Sequence, residues 1–312
     1  MNLRLTVPLF FIMFGLGSAV WGQRPLLDHP WEAPDFDWAF MQKNNIEAIQ
    51  IRTYLVEGHQ QPSFSKGEDL KLDSQGKVMT LTRMEGNLED TVLKQILAYH
   101  SNGLPTWTET KDLRFHRTYR SGYRHTGADG IYQVKSYELL PNRDRLLLQA
   151  RQYIYDGPDN SLLRAIHTLE NRQVVEVHSF DYDAQKRVVA ERIEDSRGEV
   201  TKTTHYEYDQ DSRITRVEIA ELGRATDFYI YTYNPMGQPM EIKWMSAGQV
   251  KGITRYEYDP EGRVAHLSRT LDPETSREKS LYSVYEYQPR AATDQPELTN
   301  EVANDDDLAT SD

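Results

Sequence analysis

The chain has 312 residues, a formal net charge of −12 at neutral pH and no cysteine. No basic stripe is present, so a nucleic-acid partner is not predicted; the missing cysteines exclude disulfides and a lipid anchor on cysteine. Only 38% of the residues are hydrophobic, whereas 19 are tyrosine. This composition favours a thin, tyrosine-rich sheet over a thick two-layer aliphatic core.

Residues 1–22 have the pattern of a secretory signal peptide. Arg4 gives a positive start, and residues 5–20 form an apolar stretch. Gly22 is small enough to precede a cut before Gln23. An uncleaved anchor is the alternative, but the apolar run is short for a membrane span. We therefore predict export to the periplasm, the cell surface or the medium, with no membrane span after cleavage.

Residues 23–45 do not follow the pattern of the rest of the chain and are dense in aromatic side chains. An N-terminal cap over the first edge strand explains them, because repeat arrays need capping ends. An aromatic binding lip is the alternative. The aromatic residues are Trp31, Phe36, Trp38 and Phe40.

Residues 46–290 contain a repeat of about 25 residues, in which a pair of aromatic residues precedes Asp or Asn. A period in this range indicates a repeat architecture. The repeat aromatics are Tyr153, Tyr155, Tyr182, Tyr206, Tyr208, Tyr231, Tyr233, Tyr256, Tyr258, Tyr285 and Tyr287. Tracking the same position through the chain gives predicted turns at Asp73, His100, Gly127, Asp156, Asp183, Asp209, Asn234, Asp259 and Gln288.

The residues that follow each Asp or Asn predict a type I turn closed by a left-handed residue. In such a turn the short polar side chain caps the first position, Pro supplies the next φ and Gly accepts a positive φ. Lys186 and Ser212 replace this Gly, which predicts turns that are more strained or differently shaped. The glycines expected in the turns are Gly76, Gly103, Gly237 and Gly262. A second set, Gly198, Gly223 and Gly248, marks another turn about midway through each period.

Two turns per period leave strands of roughly 9 residues, or about 30 Å. Two strands per period predict a sheet with a strand count in the upper teens. Accumulated strand twist makes so wide a sheet coil. The predicted fold class is therefore all-β, a long antiparallel meander of repeated hairpins that forms a curved, largely single-layer open sheet. The sequence does not decide whether this sheet stays open or closes on itself.

The segment Tyr256-Glu257-Tyr258-Asp259-Pro260-Glu261-Gly262-Arg263-Val264 resembles the YD repeat of the RHS family. The resemblance is strong over about 150–288 and faint over 46–149. In large RHS proteins and teneurins such repeats wind into a hollow β shell, so the resemblance implies strand-turn-strand units here. This chain is far shorter and is more similar to the small secreted YD-repeat proteins of bacterial envelopes.

Residues 291–312 contain seven Asp or Glu and no Lys or Arg, which predicts a disordered acidic tail. A Ca²⁺ site in this tail is an alternative. An ion-binding row formed by Asp73, Asp156, Asp183, Asp209 and Asp259 is another, but turn capping already explains each of these residues. We predict no metal and no cofactor.

No pattern of nucleophilic or zinc catalysis is present, since the chain lacks cysteine, Gly-x-Ser-x-Gly and His-Glu-x-x-His. Two histidine pairs could meet across hairpins and hold a metal, although ordinary strand positions are the favoured interpretation. These pairs are His116 with His125 and His167 with His178.

These observations predict a non-enzymatic, exported scaffold or interaction protein of the bacterial cell envelope, with an unknown envelope protein or glycan as its partner. One alternative is an envelope protein that binds or processes carbohydrate in the concavity of the sheet. Another is a shell or chaperone component for a secreted toxin. A strand-built outer-membrane protein is a further alternative, disfavoured because Glu207, Glu241 and Lys243 interrupt one face.

Overall fold

The computed structural model describes residues 38–57, 61–88, 90–100, 105–126, 130–141, 144–156, 161–169, 174–271, 273 and 279–290. Within these ranges the chain forms a short helix, α1 (Trp38–Lys43), and eighteen strands. The strands are β1 (Ile46–Glu57), β2 (Ser63–Leu72), β3 (Val78–Glu85), β4 (Thr91–Tyr99), β5 (Pro105–Asp112), β6 (Arg117–Thr126), β7 (Gly130–Leu139), β8 (Arg145–Asp156), β9 (Ser161–Leu169), β10 (Val174–Tyr182), β11 (Val188–Asp195), β12 (Val200–Tyr208), β13 (Ile214–Glu221), β14 (Asp227–Tyr233), β15 (Pro239–Ser246), β16 (Gln249–Tyr258), β17 (Val264–Leu271) and β18 (Lys279–Pro289).

Each strand pairs antiparallel with the next strand along the chain, and all eighteen belong to one sheet. The predicted all-β fold, an antiparallel meander of repeated hairpins, is confirmed. Strand lengths run from 7 residues in β14 to 12 in β1 and β8, around the predicted value. Among the described helices, none is long and apolar enough to cross a bilayer.

Strand β1 joins the two ends of the meander. It pairs with β2 on one side and with β18 on the other, in a register that runs from Ile46↔Pro289 to Glu57↔Lys279. Since β9 also pairs with β10, the strand order returns to its start. The sheet therefore closes on itself through backbone pairing, whereas the sequence predicted an open sheet and left closure undecided.

The turn predicted at Gln288 is not formed, because β18 continues through this residue. In the earlier repeats, such a strand pairs with the strand that follows the turn. At this place β18 pairs with β1 instead, and Ala48 pairs with Gln288. The exchange satisfies the backbone N–H and C=O groups that a free edge would expose.

The predicted cap segment has only α1 and the short connection to β1 within the described residues. β1 is not an edge strand, so α1 has no edge to cover, and Met41 instead joins the buried core cluster. The role of residues 23–37 stays a prediction, since they lie outside the described ranges. The predicted signal peptide (1–22) and acidic tail (291–312) lie outside them as well.

Burial alternates along the strands, as a sheet with one dry face requires. In β12, Thr204 and Tyr206 are buried, while His205 and Glu207 are exposed. The described part of the chain contains no second layer apart from α1, so the buried face is the inside of the closed sheet. The outer face carries ion pairs such as Arg192–Asp181 (2.9 Å) and Arg255–Glu241 (2.9 Å).

Gly262 provides a test of the turn geometry. Its φ is +83°, and an added Cβ would lie 3.2 Å from Gln238 Nε2. We expect Gly262→Val to lower the free energy of unfolding by about 1 kcal/mol or more, because a β-branched residue resists this conformation. The measurement is the urea midpoint.

The matched control is Gly122→Val. Gly122 lies within β6, and an added Cβ there meets nothing within 4 Å. We expect unchanged or slightly higher stability, since Val suits a strand. Equal midpoints for both variants would contradict the positive-φ requirement at Gly262.

Candidate functional site

Five described turns at one end of the closed sheet share a single geometry. At Asp209, the carboxylate Oδ1 accepts hydrogen bonds from the backbone N–H groups of Asp211 and Arg213, both at 2.9 Å. The N–H of Ser212 donates to the carbonyl of Asp209 at 3.1 Å. The same closing bond forms in the turns that start at Asp73, Asp183, Asn234 and Asp259. We call the end that carries these five turns the YD rim.

The fourth turn residue has a positive φ at each of these places. Gly76, Gly237 and Gly262 have φ between 77° and 83°. Lys186 and Ser212 have φ of 62° and keep the same closing bond, so the alternative prediction of a different shape is wrong there. A non-glycine residue with a positive φ is strained, in agreement with the other alternative, that the turns at Lys186 and Ser212 are more strained.

Three predicted turns cannot be compared in the same way. Asp156 is the last residue of β8 and pairs with Ser161, but the turn between them lies outside the described residues. Gly103 and Gly127 also lie outside them.

After three of the five turns, an arginine connects neighbouring repeats. Arg213 Nε donates to Asp209 Oδ2 at 2.7 Å, and its guanidinium lies 5.1 Å from the ring centroid of Tyr233 in the next repeat. Arg187 makes the same pair of contacts with Asp183 and Tyr208. Arg263 does so with Asp259 and Tyr287. One guanidinium therefore bridges its own turn and the following aromatic.

In the repeat that begins at Asn234, glutamine replaces the cation. Asn234 Nδ2 donates to Gln238 Oε1 at 2.9 Å, and Gln238 Nε2 donates to the carbonyl of Gly262 at 2.7 Å. An amide pair takes over where both charges are absent, and the link to the next repeat is kept.

The second tyrosine of each pair provides the other half of the connection. The Tyr233 hydroxyl donates to the carbonyl of Ile214, the first residue of β13, at 2.6 Å. Burial raises the pKa of Tyr233 to about 12, so its hydroxyl remains a donor at physiological pH. The same bond joins Tyr99 to Val78, Tyr208 to Val188, Tyr258 to Pro239 and Tyr287 to Val264.

Six of the other repeat aromatics lie on the inner face. Four of them are buried core residues: Tyr153, Tyr206, Tyr256 and Tyr285. Tyr182 and Tyr231 are half-buried and pack against the same cluster. Tyr155 lies in β8, next to the end of the strand.

The carboxylates of the YD rim are thus engaged with their own chain. Hydrogen bonds from the backbone N–H and guanidinium of Arg213 outweigh a smaller effect of burial and lower the pKa of Asp209. Among the described residues there is no group of three or more acidic or histidine side chains that could hold a metal. In the predicted carboxylate row, Asp183, Asp209 and Asp259 are each paired with an arginine, whereas Asp73 accepts hydrogen bonds from backbone N–H groups of its own turn.

A buried histidine departs from this regular pattern. His178 Nδ1 lies 2.7 Å from Glu191 Oε1, and its Nε2 lies 3.1 Å from Glu176 Oε1. The His178 and Glu191 side chains are only 6% and 5% exposed. Burial opposes a charged ring, but hydrogen bonds to the two carboxylates outweigh it and raise the pKa of His178 to about 9. At neutral pH the ring is therefore an imidazolium that donates from both nitrogens.

The sequence contained a signal for this cluster that periodicity alone does not reveal. Glu191 is the eighth residue after Asp183, and it is the only acidic residue at this position after a predicted turn residue. The others are Leu81, Thr108, Lys135, Arg164, Val217, Ile242, Leu267 and Pro296. Both nitrogens of His178 already face carboxylates, whereas a general base needs one of them for its substrate. The cluster therefore fastens β10 to β11.

For the two predicted histidine pairs the structure describes backbone positions only, because the side chains of His125 and His167 lie outside the described residues. His116 lies in the turn before β6, whereas His125 is the next-to-last residue of that strand, so the two are separated along most of its length. His167 pairs in register with Glu176, and His178 pairs with Ala165.

An open depression of about 650 Å³ lies at the end opposite the YD rim. It is bordered by the turn after β3 and the turn after β5. Its charged groups are already partly paired, since Arg114 Nη1 lies 2.8 Å from Glu85 Oε2. The residues lining it are Glu85, Gly86, Asp90, Thr91, Val92, Leu113 and Arg114.

No family model and no curated protein matches this chain. Similar solved structures include a porin-like protein from Bacteroides uniformis, with 10% identity, 78% of this chain and 98% of that chain covered, and a TM-score of 0.42. The Photorhabdus luminescens Tc holotoxin pore has 11% identity over 75% of this chain and 14% of that chain, with a TM-score of 0.33. A LolA superfamily protein from Nitrosomonas europaea has 8% identity over 81% and 91%, with a TM-score of 0.29. These values assign no family and no activity.

Tyr233 provides a test of the connection between repeats. Tyr233→Phe removes the donor to Ile214 and leaves that carbonyl without this bond, so we expect a loss of about 1 kcal/mol in unfolding free energy. Tyr282→Phe is the control, because Tyr282 lies on the outer face, stacked on His266. Urea denaturation should separate the two variants, and identical midpoints would show that the hydroxyl bond contributes nothing.

His178 predicts a specific pH dependence of stability. Its pKa is higher in the folded protein, about 9, than the ordinary value of 6.5. The stabilisation is therefore complete below pH 6.5 and is lost as pH rises through 9, with an upper bound of roughly 3 kcal/mol. Urea midpoints at pH 6.5 and 9.5 measure the loss.

The control is the double variant His178→Thr/Glu191→Val, which installs the residue types of the next repeat, Thr204 and Val217. Its stability should fall less over the same pH interval. An equal fall in both proteins would assign the pH dependence to other groups.

Proposed function

We propose that this chain is an exported YD-repeat scaffold of the bacterial cell envelope, which binds a partner and catalyses no reaction. The observation that carries the proposal is the repeated connection at the YD rim. Each guanidinium or amide there links one hairpin to the next, and each tyrosine hydroxyl links back to the previous one. A frame connected in this way can hold an extended surface in a fixed shape, as repeat proteins do.

The geometry also gives a structural role to each residue type of the repeated pattern. Asp closes the turn, the next cation binds Asp, and the aromatic pair fills the inner face and supplies the hydroxyl. These roles support membership of the YD-repeat family, because the pattern is what such a turn needs. The similarity to that family lies in these residues and in the turn geometry that they form.

The position in the envelope rests on the N-terminal sequence. Residues 1–22 have the charge and apolar pattern of a cleaved leader, and the chain has no cysteine for a lipid anchor. The binding role rests on the outer face, where guanidinium groups alternate with carboxylates and aromatic rings. Arg216, for example, lies 4.7 Å from the ring centroid of Phe228 and pairs with Glu207 at 3.2 Å. An envelope protein or glycan is the partner proposed for this surface.

Expression in a Gram-negative host tests the proposal. The protein should be found in the periplasm or the medium, with a mass that corresponds to a start at Gln23. Phe11→Asp, which places a charge in the apolar stretch, should retain the protein in the cytoplasm at full length. Purified protein should then retain an envelope component from a fractionated extract and leave added glycan strands intact by chromatography.

Two results would contradict the proposal. A full-length protein in the cytoplasm, equal for the native chain and Phe11→Asp, would remove the envelope assignment. Cleavage of the glycan strands would favour the carbohydrate-processing alternative.

A further inference from the structure

A glycine lies in the middle of a strand where the repeat does not call for one. Gly122 is on the outer face of β6, because its neighbour Ser121 is buried inside and bonds to Ser136 at 2.9 Å. An added Cβ at Gly122 would meet nothing within 4 Å. Glycine weakens a strand interior and often marks a place where a ligand comes close to the backbone.

Four large side chains surround this open position. Trp107 on β5 and Lys135 on β7 are the directly paired neighbours of Gly122. Arg120 and Arg124 precede and follow it by two residues and therefore share its face. We call the space above Gly122, between these four residues, the Gly122 slot.

The backbone positions around Gly122 are spaced on the scale of a single sugar ring. Directly paired residues lie about 5 Å apart, so Trp107 and Lys135 are separated by roughly 10 Å across it. Residues two apart on a strand are separated by about 6.6 Å, so Arg120 and Arg124 are roughly 13 Å apart.

The charge around the slot is opposite to that of the whole protein. Arg120, Arg124 and Lys135 contribute three positive charges, and Glu109, which pairs in register with Arg120, contributes one negative charge. The Glu109 carboxylate also lies 3.5 Å from Lys111. The local balance is therefore positive on a chain with a net charge of −12, and such a local field selects an anion.

The indole and one guanidinium are already stacked. Arg120 lies 4.7 Å from the Trp107 ring centroid. Stacking uses the flat face of the guanidinium, whereas its N–H donors lie in its plane and suit a carboxylate. On its other side, Trp107 pairs with Ala98. Both residues that pair directly with Trp107, Gly122 and Ala98, are therefore small. The arrangement combines an apolar aromatic wall with carboxylate-binding groups.

We infer that the Gly122 slot binds an acidic saccharide, with the sugar ring over Gly122 beside Trp107 and its carboxylate on the arginine side chains. This inference rests on the proposed function, because it names a glycan as the partner of the envelope scaffold. A hexuronic acid polymer and N-acetylmuramic acid both supply this chemistry, and the experiment separates them.

Calorimetric titration of the mature protein tests the inference. The probes are trigalacturonic acid and N-acetylmuramic acid, with neutral maltotriose and sodium acetate as controls. We expect one or both acidic sugars to bind, at least tenfold more tightly than maltotriose or acetate, and to bind more weakly in 300 mM than in 20 mM NaCl. The stronger of the two acidic probes identifies the source.

Gly122→Val is the decisive variant, because it fills the slot in a position where Val is compatible with the strand. We expect it to weaken binding at least tenfold while the urea midpoint stays unchanged or rises. Trp107→Ala and Lys135→Gln should each weaken binding, whereas Ser268→Val, on the outer face of β17, should not.

Unchanged binding in Gly122→Val, equal binding of maltotriose or acetate, or no binding of either acidic sugar would overturn the inference. The proposed function fails differently. If native protein and Gly122→Val are both exported and both retain an envelope component, the proposed scaffold function stands and the inference about the slot fails. If the protein cleaves trigalacturonic acid, the non-catalytic function fails and the inference about the slot stands.

Discussion

The structure depends on one bond type, the hydrogen bond from a half-buried tyrosine hydroxyl to a carbonyl of the preceding repeat. The sheet is a single layer around most of its circumference, so neighbouring hairpins share few contacts beyond the backbone ladder. Tyr208, Tyr233 and Tyr258 each add a 2.6 Å bond at the place where a turn would otherwise be free to pivot. On Tyr208 and Tyr233 the ring also lies against an arginine of the preceding turn, and that arginine is bonded to the Asp of its own turn, so the three residue types depend on one another there.

Much of the fold could be predicted because its determinants are local. A turn that starts at Asp209 and ends at Ser212 is specified within four residues, and the 25-residue spacing then sets the strand length. The pairing of β1 with β18 could not be predicted in this way, because Ile46 and Pro289 lie at opposite ends of the repeat region and no local pattern joins them. Pairing across that separation depends on the summed twist of the sheet, which no short pattern encodes.

The candidate sites were harder to predict for a different physical reason. Repeat position identifies Glu191 as exceptional, but its contact with His178 follows from a register that shifts at a bulge between Asp181 and Tyr182. A shift of one residue changes which side chains meet, so spacing alone does not give the partner. The Gly122 slot likewise becomes visible only when β5, β6 and β7 are laid side by side. No sequence pattern singles out Arg120 and Lys135, and they become candidates because both neighbour Gly122 in the sheet.

The meeting of β1 and β18 also affects how the molecule resists fraying. In a linear solenoid the terminal repeats have one neighbour each and open most readily. Here both terminal strands have two neighbours, and Thr53 on β1 holds Ser283 on β18 through a buried 2.8 Å hydrogen bond. Because loop closure over more than two hundred residues must precede this contact, cooperativity comes at the expense of folding speed. A chain of this kind acquires its full protection from local opening only when its last strand has become available to its first.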